Sequence, residues 1–328
     1  PTGSHINVSE NLSVEGTSSV KNGNIFGSLT DIGLTRDHNE DNLLAEGRFF
    51  AVADGMGGHA AGEVASEIAI QTLSEFLSQR ADAETLEMAV RAANTRIIEA
   101  AMQDSSLMGM GTTLTAAIVD GDELIIAQVG DSRAYLYHNG RLQRLTRDHS
   151  LMEELISSGQ LTEEEARFHK DRSKITRALG SDPNTFPDMY NIKASSGDRL
   201  LLCSDGLHGM ITDNEIERQL RHPDPQDACK ALVNKALDAG GNDNVTCVVV
   251  DIDGKFNKKH GKKSGGTSKF VVITVAILLA IAIVGAGFGF NVWVHNSAYL
   301  GEQNGKVAVY KGMPNSYGPF SYSELDQV

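Results

Sequence analysis

Apolar residues along the first two thirds of the chain follow two different periods. Before residue 110 they recur at the three- and four-residue spacing of one helix face. The first helical pattern covers residues 60–79, with apolar positions at Val64, Ile68, Leu73 and Leu77. A second covers residues 83–102. Both segments are therefore predicted to be amphipathic helices that pack one face against a core.

Short strand-like runs lie on either side of these helices. Residues 25–36 predict a strand that leads into a polar loop, and residues 43–53 predict a hairpin turning at Glu46 and Gly47. Three further strands are predicted at residues 112–119, 123–129 and 133–138. Only three residues separate each of these strands from the next, too few for a parallel crossover. We therefore predict that these consecutive strands pair antiparallel.

The remaining pattern up to residue 253 mixes helices and strands. Helices are predicted at residues 149–170, 213–221 and 227–239, and strands at residues 198–204 and 245–252. Residues 175–180 again contain apolar positions and are predicted to pack against the core. Paired helices beside antiparallel strands predict one α+β domain over residues 25–253, rather than a doubly wound parallel sheet.

Beyond this domain the pattern becomes uniformly apolar. The linker, residues 254–269, is rich in Lys and Gly and has no acidic residue, and residues 270–290 carry no charge at all. At about 1.5 Å per residue, a helix over residues 270–294 crosses the roughly 30 Å hydrocarbon layer. We predict a single-pass transmembrane helix there, with a buried core helix as the alternative. The preceding lysines orient the domain to the cytoplasm and the short tail, residues 295–328, to the outside.

Charge and cysteine content narrow the class of protein. The formal net charge is −14, and residues 1–253 carry 21 Lys and Arg against 40 Asp and Glu, which argues against nucleic-acid binding. The chain has three cysteines and no Cys-x-x-Cys spacing, and this odd number without a disulfide framework is typical of proteins in a reducing compartment. Residues 1–24 have no apolar core of a secretory signal and are expected to be disordered, in part a remnant of cloning or processing.

Acidic residues stand at the ends of several predicted strands. Asp54 follows an apolar run and opens the glycine loop Asp54-Gly55-Met56-Gly57-Gly58-His59. Other strand ends carry Glu40, Asp41, Asp131, Asp205 and Asp243. Each of these taken singly is also an ordinary turn or cap residue. Because Asp weakens both strand and helix propensity, its repeated placement at strand ends indicates a converging site.

A carboxylate site without His or Cys ligands selects the hard cations Mg²⁺ or Mn²⁺ over Zn²⁺. Two such ions can lower the pKa of a shared water and direct it at phosphorus. Asp54 and the Gly55 carbonyl suit such a site, and the Arg36 guanidinium could hold the phosphate by two parallel hydrogen bonds. The sequence has neither a P-loop motif nor Gly-x-Ser-x-Gly, which leaves P-loop nucleotide enzymes unsupported and weakens a serine-hydrolase interpretation.

Six short fragments occur in the order found in the metal-dependent protein phosphatase family (PPM, the type 2C Ser/Thr phosphatases), and the chain resembles that family. The fragments are Arg36-Asp37-His38-Asn39-Glu40-Asp41, Asp54-Gly55-Met56-Gly57-Gly58, Gly111-Thr112-Thr113, Gly130-Asp131-Ser132-Arg133, Ser204-Asp205-Gly206 and Asp243-Asn244. The stretch from Leu145 to Gly180 looks like the bacterial branch, with residues 151–174 as its flap. The resemblance implies a central β-sandwich of two antiparallel sheets flanked by helix pairs, with a dimetal site at one end.

The resemblance also implies a role for each matching residue. Asp54 would bridge two Mn²⁺ or Mg²⁺ ions, Gly55 would ligate through its carbonyl, and Asp205 and Asp243 would complete one ion. Glu40 and Asp41 would act mainly through bound water. Asp131 would help Asp205 hold a weaker third ion, and Arg36 would bind the substrate phosphate. Animal relatives have a His directly after the Asp-Gly pair, proposed as general acid, but this chain has Met56; metal-bound water is then the simplest proton source.

The leading functional hypothesis is hydrolysis of phosphoserine and phosphothreonine by a metal-activated water. The enzyme would be tethered to a bacterial membrane by a helix that crosses the lipid bilayer. It would oppose the phosphorylation carried out by membrane Ser/Thr kinases. The alternative from another class is a non-catalytic, membrane-anchored module that binds phosphoproteins or senses a signal with the same fold; that alternative predicts lost ligands, and none is lost. A third hypothesis is a narrow phosphatase for one phosphoprotein partner.

Overall fold

The computed structural model describes residues 25–57, 61–252, 292, 296–303, 306–312 and 323–327. The chain divides into two compact units, Pro1–Asn257 and Lys258–Val328. The predicted N-terminal segment 1–24, the linker 254–269 and nearly all of the predicted span 270–294 lie outside the described residues. Among the residues that are described, no helix is both long and apolar enough to cross a membrane.

The first unit contains eleven strands and seven α-helices in its described residues. The strands are β1 (Ile25–Asp31), β2 (Asp41–Glu46), β3 (Phe49–Met56), β4 (Gly111–Thr112), β5 (Leu114–Asp120), β6 (Glu123–Val129), β7 (Arg133–His138), β8 (Arg141–Arg144), β9 (Asp188–Lys193), β10 (Arg199–Cys203) and β11 (Val245–Asp251). The helices are α1 (Ala61–Gln79), α2 (Ala83–Gln103), α3 (Leu151–Ser157), α4 (Glu163–Arg167), α5 (Asp205–His208), α6 (Asp213–Gln219) and α7 (Pro225–Asp238).

These strands form two antiparallel sheets. One has the order β1-β11-β10-β7-β8, and the other has the order β2-β3-β5-β6-β9, with β4 paired to β3. Side chains alternate between the two faces of each strand. In β3, Phe50 and Val52 point into the core between the sheets, whereas Ala51 and Ala53 pack under α1 and α2. The small alanines let α1 lie close to the second sheet.

The outer face of the first sheet is covered by α5, α6 and α7. In β10, Leu200 and Leu202 belong to the core between the sheets, and Leu201 and Cys203 belong to the core beneath these helices. The predicted α-β-β-α sandwich of two antiparallel sheets is therefore confirmed. The predicted helices before residue 110 and the predicted strands at both ends of the domain are confirmed as well, with boundaries shifted by a few residues.

The predicted antiparallel pairing of residues 123–129 with residues 133–138 is wrong. Strand β6 pairs with β5 and β9 in the second sheet, whereas β7 pairs with β10 and β8 in the first. The three-residue connection therefore crosses from one sheet to the other. Buried Gln128 stabilises the backbone of this connection. Its Nε2 donates to the carbonyl oxygens of Gly130 (3.0 Å) and Ser132 (2.6 Å).

Two edge strands were not predicted. Strands β8 and β9 carry polar or charged residues at half of their positions or more, which hides the apolar alternation that marks an inner strand. The predicted helical segment 149–170 is instead two short helices, α3 and α4. It breaks at Ser158-Gly159, where Gly159 adopts a φ of +73° that favours glycine.

The second unit contains a three-stranded antiparallel sheet, formed by β12 (Ala298–Gln303), β13 (Lys306–Gly312) and β14 (Ser323–Gln327). The rings of Tyr299 and Tyr310 stack on adjacent strands with centroids 5.3 Å apart. This sheet lies in the segment that the sequence predicted only as a short tail.

The core between the sheets generates a stability prediction. Phe50 is 1% exposed and meets Phe26 edge-on, with ring centroids 5.4 Å apart. We expect Phe50→Ala to lower the free energy of unfolding by about 3–5 kcal/mol, because it removes buried surface and leaves a cavity. Denaturant unfolding measures this loss. The matched control is Phe168→Ala at an 82% exposed position, where a change within about 0.5 kcal/mol is expected. Equal losses in the two variants would contradict the assigned layers.

Candidate active site

Three of the predicted site residues meet at one end of the first sheet because of strand pairing. Strands β11 and β7 both run antiparallel to β10, so β10 ends where the other two begin. Asp205 stands two residues after β10, Asp243 two residues before β11, and Asp131 two residues before β7. The sheet therefore brings together three carboxylates that lie far apart in the sequence.

The second sheet supplies two more carboxylates. Asp41 at the start of β2 pairs in register with Asp54 near the end of β3. A hydrogen bond joins the two sheets at this point, since the hydroxyl of Ser204 in the first sheet donates to Asp41 Oδ2 at 2.8 Å. The predicted convergence of these acidic residues is thus seen in the structure.

The backbone of Asp54 is fixed by two consecutive threonines. The Asp54 amide donates to Thr113 Oγ1 (3.0 Å), and the Asp54 carbonyl accepts from Thr112 Oγ1 (2.9 Å) and from the Thr113 amide (2.8 Å). Thr113 Oγ1 also lies 2.7 Å from Ser132 Oγ, in the turn that carries Asp131. The Gly111-Thr112-Thr113 fragment therefore holds Asp54 in place and connects it to the Asp131 turn.

Gly55 is required by close packing of backbone. A Cβ at this position would collide with the carbonyl oxygen of Gly62 and would lie 2.5 Å from that of Glu40. The Gly55 amide itself donates to the Glu40 carbonyl at 3.1 Å. A Cβ on Gly62 would in turn lie 2.6 Å from Glu40 Oε1. The glycines after Asp54 thus allow the first turn of α1 to approach Glu40 closely.

Asn244 organises the loop before Asp41, a role that sequence reasoning missed. Its Oδ1 accepts from the Glu40 amide (2.8 Å), and its Nδ2 donates to the carbonyls of Ile32 (2.9 Å) and His38 (3.0 Å). The Asp243-Asn244 fragment was noted in the sequence, but only Asp243 was given a role. Because Asn244 is far from this loop in the sequence, no local pattern there marks it as a bracing side chain.

Burial and mutual repulsion disfavour negative charge at this end of the sandwich. Burial first, and then the charges of Asp205 and Asp243, raise the pKa of Asp41 to about 7. Burial also raises the pKa values of Asp54 and Asp131 well above the usual range, and neighbouring carboxylates add to both shifts. The pKa of Asp205 is raised first by burial and then by Asp243. Such a group of carboxylates needs a cation to remain ionised together.

Two carboxylate oxygens lack hydrogen-bond partners. Glu40 Oε1 and Asp205 Oδ1 are the buried side-chain oxygens without a partner in the described part of the chain. An unpaired buried acceptor is costly, and a divalent cation satisfies it. The oxygen-only donor set and these two free acceptors fit Mn²⁺ or Mg²⁺.

The side chains are not already closed around an ion. In the described residues, no group of three or more His, Cys, Asp and Glu side chains is arranged to hold a metal. Asp243 Oδ2 instead lies 2.8 Å from Arg36 Nη2. That hydrogen bond to Asp243 raises the pKa of Arg36. The Arg36 side chain is 47% exposed, so a cation or a phosphate group entering the site competes with an existing ion pair.

Comparison with known proteins gives consistent matches. The model of the family described as protein phosphatase 2C matches residues 35–244. The serine/threonine protein phosphatase PstP of Mycobacterium tuberculosis is 41% identical over 230 residues, which cover 69% of this chain and 45% of the relative. The serine/threonine phosphatase stp of Listeria monocytogenes is 39% identical over 237 residues, covering 68% of this chain and 94% of the relative.

The fold is also similar to solved structures. The catalytic domain of PstP in complex with two manganese ions has a TM-score of 0.66 and 39% identity, covering 70% of this chain and 98% of that domain. The chain spans less than half the length of the Mycobacterium tuberculosis relative.

Because these carboxylates repel one another, we predict that Asp54→Asn raises the free energy of unfolding without metal and lowers it relative to wild type with Mn²⁺ bound. The folded-state pKa of Asp54 is raised, so the ionised group destabilises the metal-free protein at every pH above the unfolded carboxyl pKa of about 4. In EDTA at pH 7.5, we therefore expect Asp54→Asn to increase the free energy of unfolding. Thermal unfolding measures this gain.

With saturating Mn²⁺ the order of stability should reverse, so that wild type becomes more stable than Asp54→Asn. Wild type is expected to gain about 2.7 kcal/mol at a metal concentration 100 times the dissociation constant, and Asp54→Asn to gain little. The matched control is Asp120→Asn at a half-exposed carboxylate paired with Arg48 at the far end of β5. It should respond to Mn²⁺ like wild type. An Asp54→Asn variant that gains as much from Mn²⁺ as the control would contradict a cation site at Asp54.

Proposed function

The chain belongs to the protein phosphatase 2C family, and from this membership we propose that it hydrolyses phosphoserine and phosphothreonine in proteins. The observation that carries the proposal is the meeting of carboxylates from both sheets at one end of the sandwich, where their pKa values are raised by burial. The relatives reported above are named as serine/threonine phosphatases, which supports the same reaction.

The position of each carboxylate in the site indicates its role. Asp54 and the carbonyl of Gly55, both in β3, would hold two divalent cations together with Asp205 and Asp243. When bound, the cations lower the pKa of a water molecule and stabilise the charge that develops at phosphorus. The manganese complex of the PstP catalytic domain supports Mn²⁺ as the metal. Glu40 and Asp41 orient bound water from the Asn244-braced loop.

Arg36 binds the phosphate of the substrate. Its half-exposed guanidinium can present two parallel N–H groups to phosphate oxygens, a geometry that lysine cannot provide. Its guanidinium now donates to Asp243 Oδ2, and a cation held by Asp243 would compete with this ion pair and leave the guanidinium available for the substrate. Met56 has no ionisable group and so takes no part in proton transfer to the leaving alkoxide.

Residues 270–294 anchor the enzyme in a bacterial membrane. Their length, their lack of charge over residues 270–290 and the lysines that precede them support a single-pass helix with the phosphatase domain in the cytoplasm and residues 295–328 outside. At that location the natural substrates are phosphorylated Ser/Thr proteins at the inner membrane surface. Membrane Ser/Thr kinases belong to this group, and the phosphatase opposes them.

Phosphate release tests the activity. The full chain is incubated with a phosphothreonine peptide, and Mn²⁺ is titrated. We expect activity that depends on Mn²⁺, falls by at least about 10³-fold in Asp54→Asn, and is retained in Asp120→Asn. Inactivity of wild type at every Mn²⁺ concentration, with Mn²⁺ binding intact by calorimetry, would contradict the phosphatase and favour the non-catalytic binding module.

Cysteine labelling tests the orientation. The three native cysteines are buried, so single introduced cysteines report alone. In intact cells we expect a membrane-impermeant maleimide to label Ser316→Cys and not Ser18→Cys, whereas both are labelled after cell lysis. The physical reason is that the reagent cannot cross the bilayer. Equal labelling of both positions in intact cells, or recovery of the chain in the soluble fraction, would contradict the anchor.

A further inference from the structure

The turn that carries Asp131 is held at both ends by two consecutive residues, Asp148 and His149. This turn, Gly130-Asp131-Ser132-Arg133, crosses between the sheets and places Asp131 beside Asp205, whose charge contributes to the raised pKa of Asp131. Apart from Arg133, which pairs with Cys203, the turn has no sheet pairing, so its geometry depends on outside contacts, including those from Gln128, Thr113 and His208. Asp148 and His149 hold its two ends and so contribute to the position of the Asp131 carboxylate.

His149 holds the first end of the turn by two hydrogen bonds. The His149 amide donates to the Gly130 carbonyl at 2.8 Å, and the Gly130 amide donates to His149 Nδ1 at 3.1 Å. Because Nδ1 accepts, the ring proton is on Nε2, which donates to Asp188 Oδ2 at 3.1 Å. The ring is 8% exposed, and burial lowers the pKa of His149, which keeps this neutral tautomer.

Asp148 holds the other end of the turn. Its carboxylate accepts from Arg133 Nε (3.0 Å) and from Arg133 Nη2 (2.6 Å) in a two-pronged ion pair. Arg133 Nη1 donates to Tyr135 Oη at 3.0 Å, so the guanidinium has no freedom to swing toward Asp131. The two ends are thus fixed by different chemistry, a charged pair at Arg133 and a neutral imidazole at Gly130.

His149 also contacts the return of the segment 151–174. The Thr176 amide donates to the His149 carbonyl at 2.8 Å. Asp188, which accepts from His149 Nε2, accepts at its other oxygen from Arg177 Nη1 at 2.6 Å. His149 therefore joins the Asp131 turn to Thr176 through its backbone carbonyl, and to Arg177 through its ring and Asp188.

We propose that His149 is a positioning residue for Asp131, and that its Nδ1 hydrogen bond to the Gly130 amide sets the affinity of the weaker cation that Asp131 and Asp205 share. This inference rests on the proposed function. His149 touches neither cation nor substrate; it acts through the backbone of the turn. Residues that orient metal ligands in this way change metal affinity by about 10- to 100-fold when they are replaced.

Two substitutions separate the two ring nitrogens. In His149→Asn the amide oxygen lies near the position of Nδ1 and can accept from the Gly130 amide, but the side chain no longer reaches Asp188. In His149→Gln the amide group lies near Nε2 and can donate to Asp188, but the Gly130 amide loses its acceptor. The matched control is His138→Asn, at a half-exposed histidine at the opposite end of β7, where His138 Nδ1 lies 2.6 Å from Asp198 Oδ1.

The experiment measures Mn²⁺ binding to the full chain by calorimetry, together with phosphate release from a phosphothreonine peptide at increasing Mn²⁺. We expect His149→Gln to weaken the lower-affinity Mn²⁺ by about 10- to 100-fold and to leave the tighter binding unchanged. Its kcat should fall at low Mn²⁺ and recover at high Mn²⁺, with KM for the peptide unchanged. His149→Asn should stay close to wild type, and His138→Asn should match it.

Three results would overturn the inference. The first is wild-type affinity for the weaker ion in His149→Gln. The second is an equal loss in the Asn and Gln variants, which would assign His149 a general packing role. The third is a loss of kcat that excess Mn²⁺ does not restore. A wild-type chain that binds Mn²⁺ in two classes but releases no phosphate would contradict the proposed function alone, because the calorimetric comparison of the variants still decides the role of His149.

Discussion

Repulsion between carboxylates that cannot all reach solvent is the constraint around which the first unit is built. Asp41 and Asp131 are buried, Asp205 raises the pKa of both, and both raise the pKa of Asp54. A sandwich of this size would normally place neutral or apolar residues at such positions. Two carboxylate oxygens are also left without hydrogen bonds in the described part of the chain. The metal-free fold therefore stores an electrostatic cost that a divalent cation removes.

The surrounding structure keeps these charges from moving apart. Antiparallel pairing fixes three strand ends side by side, and the threonines at positions 112 and 113 fix the backbone of Asp54. Glycines bring α1 close to the Glu40 loop, and Asn244 braces that loop from the first sheet. Each device acts on backbone rather than on the carboxylates themselves. The carboxylates thus remain available for ligands while their positions stay fixed.

The sequence contains much of this arrangement but not all of it. The site residues could be found because Asp at a strand end conflicts with strand propensity, and the conflict repeats. The order of fragments then pointed to the fold. The pairing of β6 with β7 was predicted wrongly, because a three-residue connection has the same length in a hairpin as in a crossing between sheets. Asn244 was missed as a bracing residue, since a side chain that bonds to distant backbone leaves no periodic pattern in the sequence.

The hydrogen bond from Ser204 to Asp41 joins two layers that are otherwise separated by an apolar core. Asp41 and Asp54 belong to one layer, and Asp205 and Asp243 to the other. The affinity for a cation that takes oxygens from both layers would therefore depend on the distance between the two sheets. Because Phe50 and Leu202 fill that spacing, we expect changes in their packing to alter metal affinity although neither side chain is a candidate ligand. In this family architecture, packing in the middle of the sandwich and chemistry at its end are governed by the same distance.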